Sequence, residues 1–248
     1  MKALVLAGGR GSRINEISHI QNKCMIRLLG KPVLQYNLDI LAGLEVSEII
    51  VVVGYKPEEI INEYGNRFAG KKIRYVIQWE QKGLVHAIEC AQELLDEDFL
   101  LMLGDEILVN PRHGDMIREF DQNDVFALCG VVAVQHQHKI SKTYSILRDG
   151  DGRILRLIEK PRHPTNGLMG TGNCMFRKEV VSYVGQTPIN QQRNEKELPD
   201  LIQCAVDEGN TVRSYEICSD YVNLNTREDL AEAERHLNRA RARVTLVN

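Results

Sequence analysis

Short apolar runs alternate with amphipathic segments along most of the chain. Most of the apolar runs contain β-branched residues, and several have few polar positions, which is typical of strands buried on both faces of a parallel sheet. The runs predict strands at Ala3–Leu6, Glu48–Val53, Ile73–Ile77, Phe99–Leu103, Val125–Val134, Ser145–Leu147, Arg153–Ile158 and Val212–Ile217. The alternation predicts an α/β fold in which helices cover a mostly parallel, mixed sheet.

Three segments show the spacing of amphipathic helices: Pro32–Leu41, Gly83–Leu95 and Thr226–Ala240. Thr226 followed by Asp229 resembles a helix N-cap pattern. A turn is expected at 149–152, where the sequence reads Asp-Gly-Asp-Gly between two predicted strands. Because no repeat, low-complexity tract or linker interrupts the chain, residues 1–248 are predicted to form one Rossmann-like α/β/α domain.

The first predicted strand leads directly into a glycine-rich segment, residues 7–13, with the sequence A-G-G-R-G-S-R. Glycines let the backbone approach a ligand, and their exposed N–H groups bind anions. Arg10 and Arg13 add cationic donors. This pattern indicates a phosphate or nucleotide site. It is not a P-loop, because no Lys follows the glycines, and a dinucleotide fingerprint fails because position 14 is Ile.

Composition narrows the classes of partner. The formal net charge of −3 and the pI of about 6.2 argue against a protein that binds nucleic acid through a basic surface. No apolar run has the roughly 20 residues of a membrane-spanning helix. The six cysteines show no zinc-ligand spacing, and a chain of 248 residues does not need disulfides. A reduced, cytoplasmic protein is therefore expected.

Six blocks of sequence, taken in order, can be compared with known families. They are Leu6–Arg13 with Lys23, Gly30–Pro32, Gln78–Ala87, Leu103–Asp105, Glu159–Pro161 with Gly170–Gly172, and Glu197–Asp200 with Val222–Thr226. Together they resemble the sugar-1-phosphate nucleotidylyltransferases, in particular the thymidylyl- and uridylyltransferases. The resemblance spans nearly the whole chain. It implies condensation of a pyrimidine NTP, dTTP or UTP above all, with a sugar 1-phosphate, giving an NDP-sugar and pyrophosphate.

The resemblance also assigns roles to particular residues. Arg13, Lys23 and Asp105 are the implied catalytic residues, and Mg²⁺ is the implied cofactor, held by Asp105 and Asn223. The implied nucleotide-binding set is Leu6, Ala7, Gly8, Gly9, Gly11, Ser12, Arg13, Lys23, Gln78, Gly83 and Asp105. The implied acceptor-binding set is Tyr144, Glu159, Lys160, Gly170, Thr171 and Asn173. The stretch between Arg13 and Lys23 is interpreted as a lid that brings two cations onto the triphosphate.

Elementary chemistry agrees with several of these roles. The phosphate nucleophile is already an anion at pH 7, so the reaction requires positioning and charge neutralisation rather than a general base. Asp105 follows a buried strand, at the edge where open α/β sheets bind ligands, and oxygen ligands suit Mg²⁺. The Gln78 amide can both donate and accept, so a flipped amide would also meet cytosine, and only a pyrimidine preference is expected.

The chain departs from the family pattern at several positions. Ser12 replaces the commoner Thr, Ser145 stands where Gly often follows Tyr144, and Asn223 replaces the Asp of thymidylyltransferases. Without a C-terminal β-helix, acetyl transfer is not expected, and without a longer tail an allosteric nucleotide site is in doubt.

Two alternative functions stay open for the chain. The first is a CTP-dependent cytidylyltransferase acting on a phospho-alcohol or phosphonate, and Ser145 is the residue that supports it. The second is a non-catalytic, nucleotide-sensing relative. A glycosyltransferase is discounted, because it would require Asp-x-Asp after the fourth strand, where Gly104-Asp105-Glu106-Ile107 stands. Because enzymes resembling this one are commonly dimers or tetramers, a homo-oligomer is also open.

Overall fold

The computed structural model of the chain describes residues 1–10 and 21–245, and of residues 243–245 it describes the backbone only. Within these ranges the strands are β1 (Lys2–Ala7), β2 (Arg27–Leu28), β3 (Lys31–Pro32), β4 (Ile49–Val53), β5 (Arg67–Phe68), β6 (Lys71–Ile77), β7 (Phe99–Leu103), β8 (Glu106–Val109), β9 (Ala127–Ala133), β10 (Tyr144–Arg148), β11 (Ile154–Glu159), β12 (Leu168–Phe176), β13 (Ile189–Asn190), β14 (Glu195–Lys196), β15 (Val212–Glu216) and β16 (Asp220–Asn223). The α-helices there are α1 (Val33–Ala42), α2 (Pro57–Tyr64), α3 (Leu84–Ala91), α4 (His113–Gln122), α5 (Leu198–Asp207) and α6 (Arg227–Thr245).

The main sheet has a parallel centre and antiparallel additions. Strands β6, β4, β1 and β7 lie side by side in that order, and all run parallel. Strand β12 continues the sheet antiparallel to β7 and also pairs with β9 and β10. Strand β15 then pairs parallel to β9, and β11 pairs antiparallel to β10. This order confirms the predicted α/β class with a mixed sheet.

Alternate residues of β1 belong to two hydrophobic cores, one on each face of the sheet. Ala3 and Val5 contact the core beneath α1, α2 and α4, whereas Leu4 and Leu6 contact the core beneath α3 and α5. Every residue of β1 is buried. Since burying one leucine side chain stabilises a fold by about 1.5–3 kcal/mol, both helical layers hold the strand in place. The result is the predicted α/β/α arrangement.

Strands β8 and β16 form a separate two-stranded antiparallel sheet, which begins just after the carboxyl end of β7. Its register places Asn223 opposite Glu106, and the Leu224 N–H donates to the Asp105 carbonyl oxygen at 3.1 Å. Ile107 and Leu224 belong to a third apolar cluster that α1 and α6 cover. This pairing brings Asp105 and Asn223 together although they are far apart in the sequence.

The predicted strands are confirmed, each within two residues of its expected bounds. The Thr226 prediction is also confirmed, because Asp229 N–H donates to Thr226 Oγ1 at 3.2 Å and Thr226 N–H donates to the Asp229 carboxylate at 2.9 Å. Strand β12 is not predicted by the sequence pattern, although it lies in the middle of the sheet. Gly170 and Gly172 alternate there with polar residues, so the strand lacks an apolar run.

No helix within the described ranges is both long enough and apolar enough to cross a bilayer. The assignment of all 248 residues to a single domain stays a prediction.

Candidate active site

The carboxyl ends of the four parallel strands carry most of the residues singled out from the sequence. Gly8 follows β1, Gly54 follows β4, Gln78 follows β6 and Asp105 follows β7. The loop after β1 is hydrogen-bonded to the loop after β4, because the Tyr55 N–H donates to the Gly8 carbonyl oxygen at 3.2 Å. Open α/β sheets bind ligands at this edge, so the topology places these residues where the sequence argument expects them.

A cavity of about 420 Å³ opens among these strand ends, and we call it the loop cavity. Among the predicted nucleotide-binding residues, those that line it are Leu6, Gly8, Gly9, Lys23, Gln78, Gly83 and Asp105. Ala7 is different, because its side chain lies in the hydrophobic core. Gly11, Ser12 and Arg13 lie outside the described residues, as does most of the predicted lid.

Gly83 is a position where only glycine suits the loop cavity. Its φ is +95°, a backbone conformation that side chains with a Cβ rarely adopt. A Cβ at this position would also lie 3.0 Å from both the Glu195 Cβ and the Lys196 carbonyl oxygen. The glycine therefore lets β14 approach the start of α3. This brings Glu195, which the sequence analysis did not identify, into the wall of the cavity.

Lys23 and Asp105 form a short ion pair at the floor of the loop cavity. Lys23 Nζ also donates to Asn225 Oδ1 at 3.1 Å, and the lysine is only 6% exposed. Asn22 positions the lysine, because its amide donates to the Tyr55 carbonyl oxygen at 2.6 Å and accepts from the Cys24 N–H at 2.8 Å. The predicted catalytic lysine and carboxylate are thus in direct contact.

Asp105 and Asn223 supply the oxygen atoms that a hard divalent cation prefers. Asn225 Nδ2 donates to Asn223 Oδ1 at 2.9 Å, which orients the amide and leaves one lone pair of that oxygen for another partner. Within residues 1–10 and 21–245 no group of three His, Cys, Asp or Glu side chains is arranged to hold a metal. The two oxygen donors Asp105 and Asn223 are of the kind that Mg²⁺ takes beside phosphate and water oxygens.

A second cavity of about 180 Å³ adjoins the loop cavity, and we call it the inner cavity. Its walls include five of the six predicted acceptor-binding residues, namely Tyr144, Glu159, Lys160, Gly170 and Thr171. Glu195 and Asn223 line both cavities. Two binding spaces with a shared wall are the arrangement that a two-substrate transfer reaction requires.

The Tyr144 ring packs so closely against Gly170 that a Cβ at this position would lie 2.0 Å from it. The Tyr144 hydroxyl donates to the Thr171 carbonyl oxygen at 2.7 Å. Beside Tyr144 in the β10–β11 register, Glu159 accepts from Lys160 at 3.1 Å and from Arg193 at 3.2 Å. The inner cavity is therefore preorganised by contacts among its own residues.

Comparison with known proteins agrees with this geometry. The family model described as nucleotidyl transferase matches residues 2–238. The chain belongs to this nucleotidyl transferase family. Among its relatives, the UTP–glucose-1-phosphate uridylyltransferase AglF of Haloferax volcanii is 34% identical over 96% of both chains. A glucose-1-phosphate thymidylyltransferase of Streptomyces griseus is 32% identical, over 95% of this chain but only 65% of that enzyme.

A solved structure of UDP-glucose pyrophosphorylase complexed with UDP-glucose has the same fold. It superposes with a TM-score of 0.82 at 19% identity, covering 96% of this chain and 98% of the other. These matches confirm the predicted family, enzyme class and fold class. The roles of individual residues in this nucleotidyl transferase stay predictions that rest on the geometry.

Glu106 is a site residue of the nucleotidyl transferase that sequence reasoning missed. Its carboxylate is 1% exposed and accepts from the Gly172 N–H at 3.0 Å, from Asn173 Nδ2 at 2.7 Å and from the Tyr221 hydroxyl. Burial raises its pKa to about 8 despite these donors. The carboxylate links β8, β12 and β16, and so holds together the start of β8 next to Asp105, the inner-cavity glycines of β12 and Asn223 of β16.

Asn173 was expected to bind the acceptor, but it lies behind the cavity wall. It is completely buried and is not part of the inner-cavity lining. Its amide nitrogen is bound to Glu106, and its Oδ1 accepts from His113 Nε2 at 2.8 Å. Asn173 therefore acts on the cavity through lining residues, with its side chain bound to Glu106 and its backbone N–H donating to Thr171 Oγ1 at 3.1 Å.

Glu197 is a further lining residue, and Arg193 lies between it and Glu159. Arg193 is 2.8 Å from the Glu197 carboxylate and 3.2 Å from that of Glu159. Burial, together with the nearby charge of Glu159, raises the pKa of Glu197 to about 7. The block Glu197–Asp200 is part of the family resemblance. The contact with Arg193 depends on a turn that no sequence pattern predicts.

Proposed function

We propose that this nucleotidyl transferase joins a uridylyl or thymidylyl group from UTP or dTTP to a sugar 1-phosphate, releasing pyrophosphate. The observation that carries the proposal is the pair of adjoining cavities with a shared wall. The loop cavity suits the nucleotide, because glycine backbone and Lys23 surround it. The inner cavity suits a polyhydroxylated phosphate, because carboxylate, hydroxyl and lysine groups line it. The named activities of the relatives agree with this assignment.

In the proposed reaction, a phosphate oxygen of the acceptor attacks the α-phosphorus of the nucleotide. A bond forms between these atoms, the bond from the α-phosphorus to the bridging oxygen breaks, and pyrophosphate leaves. The attacking oxygen is anionic, so no side chain needs to remove a proton. Lys23 at the cavity floor neutralises charge on the triphosphate, and the predicted role of Arg13 is the same.

Mg²⁺ belongs to the proposal as the cofactor. Asp105 and Asn223 would hold it, and when bound it would neutralise negative charge on the phosphates. The Lys23 ammonium contacts Asp105 directly. In the proposed reaction, Lys23 leaves Asp105 and pairs with the triphosphate.

The inner cavity is proposed to bind the acceptor. Glu159 is positioned to accept hydrogen bonds from sugar hydroxyls, and Lys160 to pair with the acceptor phosphate. Tyr144, Gly170 and Thr171 form the wall against which the sugar ring would lie. The formal net charge of −3 supports small-molecule partners rather than nucleic acid.

The cellular setting is also part of the proposal. All six cysteines are free thiols, and four of them are buried. Such thiols suit a reduced cytoplasmic compartment, where UTP and dTTP are available. A homo-oligomer is kept as an expectation from the resemblance.

A pyrophosphate-release assay tests the proposal. UTP, dTTP, CTP, ATP and GTP are each combined with glucose 1-phosphate, N-acetylglucosamine 1-phosphate or phosphocholine in the presence of Mg²⁺. We expect release only with UTP or dTTP and a sugar 1-phosphate. Release only with CTP and phosphocholine would replace the proposal with a cytidylyltransferase. No release with any pair would favour a nucleotide-sensing protein.

Asp105→Ala tests the proposed metal site. We expect it to fold and to lose turnover by at least about 100-fold, because one well-aimed charged group in such a site contributes that much. Asp124→Ala, which changes an exposed turn carboxylate away from both cavities, is the control. Normal turnover of Asp105→Ala in Mg²⁺ would remove this residue from the proposed metal site.

A further inference from the structure

We infer that His86 is a positioning residue for nucleobase selection, because it holds the Gln78 amide in the orientation that accepts a hydrogen bond from uracil or thymine. The inference rests on the proposed function, in which Gln78 reads the base. His86 lies on α3 behind the loop cavity and is not part of its lining. It would therefore act on the base only through Gln78.

The orientation of the Gln78 amide follows from its partners. Gln78 Nε2 lies 3.1 Å from the Gly83 carbonyl oxygen. Since a backbone carbonyl can only accept, the nitrogen of the amide must face it. The same Nε2 lies 3.0 Å from His86 Nδ1, so the second amide hydrogen is directed at the histidine. Both donor positions of Gln78 are therefore used within the protein.

The same contacts determine the tautomer of His86. Nδ1 must be unprotonated to accept from Gln78, so the ring hydrogen is on Nε2. Nε2 lies 3.8 Å from Cys90 Sγ, one helical turn further along α3, and this sulfur can accept the hydrogen weakly. His86 thus presents an acceptor to Gln78 and a donor to Cys90.

What remains of Gln78 for a ligand is its carbonyl oxygen. Oε1 lies beside Gly8 in the glycine-rich loop, 3.0 Å from the place where a Cβ of Gly8 would be. Gln78 and Gly8 both line the loop cavity. Glycine at position 8 therefore keeps the space next to Oε1 open, and the group offered to a base is an acceptor.

An acceptor at this point separates the pyrimidines. Uracil and thymine have one donor on their pairing edge, the N3–H, whereas cytosine has an unprotonated N3 and places its donor on the 4-amino group. Cytosine would have to shift by one ring position to use the same oxygen. The alternative is to flip the amide, which would turn Oε1 toward both the Gly83 oxygen and His86 Nδ1. The flip is opposed by an acceptor–acceptor contact at Gly83, and His86 could accommodate it only by moving its ring hydrogen from Nε2 to Nδ1 and giving up the contact to Cys90.

Loss of His86 removes one of the two contacts that oppose the flip. We expect His86→Leu to lower the ratio of kcat/KM for UTP to that for CTP by about tenfold, the scale of one buried hydrogen bond. His86→Asn places an amide oxygen near the position of Nδ1 and should restore most of the ratio. Glu89→Gln, on the exposed side of the same helix, should leave the ratio unchanged.

Pyrophosphate release with one sugar 1-phosphate gives both rate constants for each variant. A UTP-to-CTP ratio in His86→Leu within twofold of the wild-type ratio would overturn the inference, as would an equal loss in His86→Asn. Wild-type enzyme that uses CTP as well as UTP would also overturn it, while the transfer reaction itself would stand.

Failure of the proposed function has a different signature, namely no pyrophosphate release by the wild-type enzyme with any NTP. If His86→Leu does not fold, His86→Gln provides the same comparison. Its longer side chain moves the amide group away from Gln78, and the same fall in the UTP-to-CTP ratio is expected. An unchanged ratio in this variant would overturn the inference.

Discussion

The burial of His113 leads to a quantitative prediction of how the stability of the fold depends on pH. Its side chain is 2% exposed at the start of α4. The Asn173 amide orients it, because Asn173 Nδ2 donates to Glu106 and Oδ1 must then accept from His113 Nε2. The other ring nitrogen, Nδ1, is buried without a hydrogen-bond partner among the described residues. A proton added there would have no acceptor.

Burial accordingly lowers the pKa of His113 from 6.5 to about 4. Between these two values the unfolded chain binds a proton at this residue and the folded chain does not. The stability that the neutral His113 contributes to the folded state is therefore fully present above pH 6.5 and is lost as the pH falls toward 4. At 1.36 kcal/mol per pKa unit, the loss is about 3 kcal/mol.

His113→Gln tests this reasoning because Gln can donate to Asn173 Oδ1 but does not titrate. We expect the variant to be less stable than wild type at pH 7.5 by about 1 kcal/mol. As the pH falls to 4, wild type should lose about 3 kcal/mol more than the variant does. Urea unfolding followed by circular dichroism is the assay, since Trp79, the only tryptophan, is 84% exposed and would report unfolding poorly.

The control is His163→Gln, which changes an exposed histidine. Its stability should follow the wild-type pH dependence. If the free-energy curves of wild type and His113→Gln run parallel from pH 7.5 to 4, the assignment of a neutral, unpartnered Nδ1 is wrong.

Two further predictions concern the loop cavity. Lys23→Met should lower kcat by about 100-fold and weaken nucleotide binding, because Asp105 and the triphosphate both lose a cationic partner. The control variant Lys31→Met should change neither kcat nor nucleotide binding. Unchanged kinetics in Lys23→Met would contradict the proposed role of Lys23. Gly83→Ala should destabilise the chain by about 1–3 kcal/mol, because alanine would be held at a φ near +95°. It should also raise KM for the nucleotide, because the new Cβ would contact β14 in the cavity wall. Gly70→Ala shares the positive φ but has open space around its Cβ, so an equal rise in KM in both variants would show that backbone strain alone is responsible.

The candidate site divides into residues that local patterns identify and residues that they do not. Asp105 was found because a carboxylate that follows a buried apolar strand is a local signal. Lys23 and Gln78 were found through motif resemblance. Glu106 directly follows Asp105 in the sequence, yet nothing local distinguishes it from a solvent-exposed glutamate. Its importance comes from donors on β12 and β16, and those strands meet it only in the folded chain.

The alternation of strands and helices, the class of fold and the edge of the sheet that carries the candidate site residues could all be predicted from the sequence. These follow from hydrophobic periodicity and chain direction, which are properties of neighbouring residues. Only the folded chain shows that β12 is a central strand despite its glycines, that Asn173 supports the wall instead of lining it, and that His86 contacts Gln78. Each of these depends on which polar groups become partners once water is excluded, and partners distant in sequence leave no periodic pattern.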